Sequence, residues 1–125
     1  METTNTISNL EEKIHNACIN FFHRMGYEIV DDTPDKFEIV AKEEDKLIFV
    51  LSSINDNTSE DLKFVAPDLT RTDAEIAAMR WLSEHSDISN FTPVRFDTFC
   101  LTLIGNGKAF LRHHANAFAF RGEID

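Results

Sequence analysis

The chain is short of the residues on which several functional classes depend. It carries two cysteines, Cys18 and Cys100, and no C-x-x-C, which excludes a structural zinc site of the usual spacing. Both lie in apolar segments far apart in sequence and read as buried thiols rather than as a disulfide or redox pair. Only four glycines occur in 125 residues, and Gly105 and Gly107 belong to a turn, so there is no glycine-rich phosphate loop. No stretch approaches the ~20 consecutive apolar residues of a membrane span. Residues 1–9 are polar and lack the basic and apolar regions of a secretory signal, so the expected location is the cytoplasm. Cations are scarce as well: 12 Lys and Arg stand against 22 Asp and Glu, a net charge of −10 and a pI near 4.8. A broad grip on phosphates needs clustered Lys and Arg, so this charge disfavours nucleic acid as a partner. The deficit is uneven: residues 1–63 hold 6 basic and 14 acidic residues, residues 64–125 hold 6 and 8. An anion-binding surface is therefore expected in the second half.

What is present fits one α/β domain spanning residues 1–125, with residues 1–8 expected to be disordered and 119–125 to form a C-terminal tail. Eleven phenylalanines supply most of the aromatic mass. Ser8 and Glu11 match a capping box, and Leu10, Ile14, Ala17, Cys18, Phe21, Phe22 and Met25 follow at helical spacing. Gly26 fits the residue just past the helix end, so a helix is predicted over Asn9 to Met25. Tyr27 to Val30 is a short β-prone segment. Phe37 to Ala41 and Leu47 to Leu51, joined by a polar turn at Lys42 to Lys46, read as a hairpin. The unbroken apolar run of Leu47 to Leu51 predicts a central strand covered on both faces. Residues 52–61 read as a loop and Leu62 to Ala66 as a short strand. Thr72 and Glu75 form a second capping box, with Ile76, Ala77, Met79 or Arg80, and Leu82 on one face of a helix over Asp73 to His85. Val94 to Ile104 and Ala109 to His113 are two further strands. The order α-β-β-β-α-β-β predicts a single mixed sheet flanked by helices.

Placed in order, these segments resemble a known family. Phe21-Phe22-His23-Arg24-Met25-Gly26-Tyr27-Glu28-Ile29-Val30, Phe37-Glu38-Ile39-Val40-Ala41, Leu47-Ile48-Phe49-Val50, Ala78-Met79-Arg80-Trp81-Leu82, Arg95-Phe96-Asp97 and the His113-to-Phe118 ending are similar, with similar spacing, to segments of the YraN-like proteins, also called uncharacterised protein family 0102. The resemblance covers about Asn9 to Phe118. It implies a restriction-endonuclease-like fold and metal-dependent phosphodiester cleavage of the PD-(D/E)xK type. There, carboxylates hold Mg²⁺, which activates water, and a Lys offsets developing charge.

The chain departs from the family at each of those positions. The helix Glu becomes His15, the strand Asp becomes Glu38, the next acid becomes Leu51 and the Lys becomes Ser53. Glu38 alone keeps a hard-oxygen metal ligand, set against its reading as a solvated carboxylate or one paired with Lys36 or Lys46. His15 reads as a rim histidine. The resemblance thus implies a catalytically degenerate domain that needs no cofactor and acts by binding nucleic acid or a protein. Two alternatives stand beside it. One is a Mg²⁺ nuclease with migrated groups, using Glu38, Asp97 and His15 or Lys36. The other is an acidic protein-interaction module with an apolar patch at Phe118-Ala119-Phe120. Arg71, Arg80, Arg95 and Arg112 are candidates for a phosphate-facing patch, against a reading as scattered solubilising charge. His113 and His114 look like a ligand pair, but neighbours on a strand point to opposite faces.

Overall fold

The computed structural model describes residues 2–56, 70–88, 92–105 and 108–116, with side chains from residue 11 in the first span and up to residue 54. The expected strand at Leu62 to Ala66, Gly107, and Phe118 to Phe120 lie outside the described residues. Among the described residues seven elements follow the expected order: helix α1 (Glu2–Arg24), strands β1 (Glu28–Asp31), β2 (Ile39–Glu43) and β3 (Lys46–Asp56), helix α2 (Arg71–Ser83), and strands β4 (Val94–Gly105) and β5 (Lys108–His114). The strands form one sheet in the spatial order β1-β2-β3-β4-β5, antiparallel throughout except for the parallel pair β3 and β4. That parallel step requires a crossover, and α2 lies within it. No helix among the described residues is long and apolar enough to cross a membrane.

The sheet separates two apolar layers. Ile39 and Ala41 of β2, Ile48 and Val50 of β3, and Phe99 and Leu101 of β4 pack against Ile14, Cys18 and Phe22 of α1. Val40, Leu47, Phe49 and Leu51 pack on the other face with Phe37 and with Ala74, Ala78 and Trp81 of α2. The alternation of β3 between the two layers is the physical meaning of its unbroken apolar run: a strand covered on both faces has no polar side to present.

The termini of the helices explain how the layers are aligned. Gly26, at φ +93°, closes α1: its N–H donates to His23 O at 3.0 Å, and Tyr27 N–H donates to Phe22 O at 2.9 Å. The Tyr27 and Phe22 rings meet at 5.2 Å across this cap, which turns the chain directly into β1. At the other end α1 begins at Glu2, so Ser8 lies inside the helix and not at its cap. For α2 the cap is Thr70, whose hydroxyl accepts from Asp73 N–H at 3.1 Å, rather than Thr72. The buried face of α2 also differs from expectation. Ala74, Ala78 and Trp81 face the sheet, whereas Ile76 and Met79 are 47% and 61% exposed. Two alanines and one large ring allow close approach to the sheet, and the rule that larger apolar residues point inward loses to that fit. The third strand runs on to Asp56 through residues expected in a loop, because Ser52 to Asp56 pair with Phe99 to Leu103 of β4.

Candidate functional site

Two carboxylates sit on the α1 face of the sheet, each held by a histidine. The first is Glu38, immediately before β2. Its N–H donates to Val50 O at 2.7 Å, and Glu38 and Ile39 both turn toward α1, departing from strict alternation. One side-chain oxygen accepts from the Ser52 hydroxyl of β3, the other from His15 Nδ1 of α1. The His15 and Glu38 side chains keep 27% and 16% of their exposure, so the pair lines an open cleft of about 470 Å³ together with Glu11, Glu12 and Asp32. His15 is thus a half-exposed histidine at the edge of the cleft that also partners a carboxylate, and Glu38 pairs with it rather than with Lys36 or Lys46.

Leu51 and Ser53 do not join this group. Leu51 is 3% exposed and belongs to the α2-side core, and Ser53, two residues on, shares its face. The residues of β3 that share Glu38's face are Val50 and Ser52. Strand register, which one residue's slip inverts, places Leu51 and Ser53 on the face opposite Glu38.

The second carboxylate, Asp97 of β4, has no exposure. Its Oδ1 accepts from Arg95 Nε and from Asn116 N–H, each at 2.8 Å, and its Oδ2 accepts from Arg95 Nη2 at 2.9 Å and His113 Nε2 at 2.8 Å. A carboxylate only accepts, so His113 carries its proton on Nε2. Burial by itself raises the Asp97 pKa; the bonds from His113, Arg95 and Asn116, with the guanidinium charge, outweigh it and hold the carboxyl below its ordinary range. The same bond with Asp97 raises the Arg95 pKa further. Arg95 also reaches the Tyr27 hydroxyl at 3.2 Å and Glu43 at 3.6 Å. His113 packs its ring against Phe21 and Phe22, with centroids 5.1 and 5.0 Å away.

Glu38 and Asp97 do not form one centre. Asp97 pairs with Val50, and Val50 with Ile39, so the backbones of Asp97 and Ile39 lie two strand spacings, roughly 10 Å, apart. The carboxylates have different partners, His15 and Ser52 for Glu38 and Arg95, His113 and Asn116 for Asp97. Cys18 of α1 feels both charges. Burial, then Glu38, then Asp97 push its thiol pKa far up, which keeps it protonated and unreactive. Among the described residues no group of three or more His, Cys, Asp or Glu side chains is arranged to hold a metal ion. Mg²⁺ takes several converging oxygen ligands. Glu38 is already engaged at both oxygens by an imidazole and a hydroxyl, and Glu11, Glu12 and Asp32 of the same cleft are not gathered with it, so the arrangement around Glu38 offers no such set. It does not fit the ion.

The arginine patch is not assembled either. Arg71 pairs with Glu75 at 3.3 Å at the start of α2. Arg80 lies nine residues on, and about 100° per residue places it on the opposite side of the helix. Arg95 is on the other face of the sheet and is engaged with Asp97. His113 and His114 point apart, His113 inward to Asp97 and His114 outward, and His85 stacks on Trp81 at 3.7 Å with its Nδ1–H donated to Trp81 O at 2.7 Å. Trp81 also donates from Nε1 to Asp31 at 2.8 Å and forms one wall of a cleft of about 430 Å³ with Asp31, Lys36, Ile76 and Arg80. Nothing in the sequence joins Asp31 to a residue fifty positions later; the β1 bulge between Ile29 and Asp31 turns that carboxylate toward α2.

No protein-family model matches the chain, and no curated protein matches it in sequence.

Proposed function

We propose that the chain is a divergent YraN-like domain of restriction-endonuclease-like fold that has lost its metal chemistry and acts by binding, through nucleic acid or a protein partner, in the cytoplasm and without a cofactor. The observation that carries this reading is the closed group His15–Glu38–Ser52, with Leu51 buried in the opposite core. The carboxylate equivalent to the family's strand acid has both oxygens engaged, one by a hydroxyl and the other by an imidazole. The order α-β-β-β-α-β-β around a mixed sheet is also the architecture the resemblance implies.

A migrated nuclease centre requires Glu38 and Asp97 to converge. Their separation by Val50, and the ion pair that occupies Asp97, weigh against it. The test is incubation with single-stranded and branched DNA in Mg²⁺ and in Mn²⁺. The expected result is intact substrate for the wild type and Glu38→Ala alike. Cleavage by the wild type that disappears in Glu38→Ala overturns the proposal.

A further inference from the structure

The basic surface expected in the second half of the chain is not where the arginines of α2 and Arg95 suggest. The edge strand β5 offers another. Of its seven residues only His113 is half-buried; the other six are exposed. Register fixes which side each presents. Thr102, Cys100 and Thr98 of β4 pair with Phe110, Arg112 and His114, and the period of two adds Lys108. One face of the edge therefore carries Lys108, Phe110, Arg112 and His114 in a row. Leu111 and His113 take the opposite face, beside Leu101 and Phe99.

The row combines two features that do not serve stability. Phe110 is 51% exposed, a large ring that a folded domain gains nothing by presenting to water. Lys108 and Arg112 flank it at about 7 Å along the strand on either side, in a protein whose net charge is −10. Among the described residues neither cation has a carboxylate partner, and the nearest carboxylate on the adjoining strand, Asp97, is buried on the other face and neutralised by Arg95. The strand is also held in place. His113 bonds to Asp97, and Asn116 N–H, just beyond the strand, bonds to the same carboxylate, so the outward row is presented in a fixed register.

We propose that this face of β5 binds single-stranded nucleic acid, Phe110 stacking on an unpaired base and Lys108 and Arg112 contacting the flanking phosphates. The proposal rests on the reading of the chain as a binding domain and names its surface and ligand. Charge complementarity calls for an anionic ligand, and a phosphate chain is one that also offers unpaired bases to the exposed ring between the two cations. The exposed ring selects the single strand, because a duplex keeps its base faces stacked and out of reach. The narrow stripe also resolves the conflict with net charge: two permanent cations on one strand do not need a basic molecule around them.

The test is fluorescence anisotropy with labelled oligo-dT and oligo-rU of about twelve nucleotides, a length suited to a compact single-strand site. The two arms separate DNA from RNA as the source of the phosphate and base. For two phosphate contacts on a single strand, log affinity is expected to fall with log salt at a slope of about −1.4. Phe110→Ala is expected to weaken binding about tenfold, Phe110→Tyr to preserve it, and Lys108→Glu with Arg112→Glu to abolish it. The exposed pair Lys13→Glu with Lys42→Glu, equal in charge change, is expected to leave it intact. Trp81 emission and far-ultraviolet circular dichroism report that each variant is folded. Absence of binding, or binding indifferent to the β5 substitutions, overturns the proposal. So does a concentration-dependent dimer that Phe110→Ala dissociates without any retention of oligonucleotide, which assigns the strand to self-association. Cleavage of an oligonucleotide held through β5 would overturn the loss of metal chemistry and leave this site standing, so the two failures are distinct.

Discussion

Asp97 shows how one residue ties distant parts of the chain together. Its oxygens receive bonds from its own strand, from β5 and from the backbone just after β5, and Arg95 carries the connection on to Tyr27. Removing its charge leaves the guanidinium, whose side chain is only 14% exposed, without its main partner. Asp97→Asn is expected to lower unfolding stability by about 3 kcal/mol, measured by urea denaturation at neutral pH. The acid limb gives a second readout. The folded-state pKa lies below the unfolded value of about 4, so this contribution is complete above about pH 4 and is lost as pH falls through the lowered folded pKa. The stability gap between wild type and Asp97→Asn should therefore narrow as pH is taken from 6 to 3. A gap that stays constant or widens contradicts this account of Asp97. The pairing with Arg95 was legible two residues away in sequence; the part played by His113 was not, because it depends on which face of an antiparallel neighbour the residue occupies.

Elements were the most legible scale, and their ends the least. The apolar period of α1, Gly26 at its close, and the unbroken run of β3 all locate their elements, because each reports a burial requirement that no alternative structure meets as well. Thr72 with Glu75 satisfies the same local pattern as Thr70 with Asp73, and sequence has no means of choosing between two caps one half-turn apart; in the structure it is the Thr70 hydroxyl that accepts from Asp73 N–H. Thr70→Ala is expected to cost about 1 kcal/mol in urea denaturation, and Thr72→Ala less than about 0.5 kcal/mol. The reverse order would return the cap to Thr72. The buried face of α2 departs from the apolar spacing for a related reason: Ile76 and Met79 satisfy hydropathy, while Ala74, Ala78 and Trp81 satisfy the geometry of a helix lying close on a sheet.

At the scale of the whole molecule, the sheet keeps the two histidine-held carboxylates on a different face from the cations of its edge strand β5. Glu38 and Asp97 lie toward α1, each engaged by a histidine, and the cations of β5 lie on the outer face of the far edge. The fold class was legible because the order of strands and helices constrains how apolar faces can be covered. The candidate site was legible only in part. Glu38 and His15 were identified as positions, but their mutual contact joins residues 23 apart, and the choice of Ser52 over Ser53 follows from a strand register that only the assembled sheet fixes. Metal affinity at Glu38 reads the loss of chemistry without depending on any choice of substrate. In a Mn²⁺ titration followed by electron paramagnetic resonance, the signal of the free ion should be the same with the wild type, with Glu38→Ala and with buffer alone at matched salt. Stoichiometric loss of the free-ion signal with the wild type, restored by Glu38→Ala, would contradict the account.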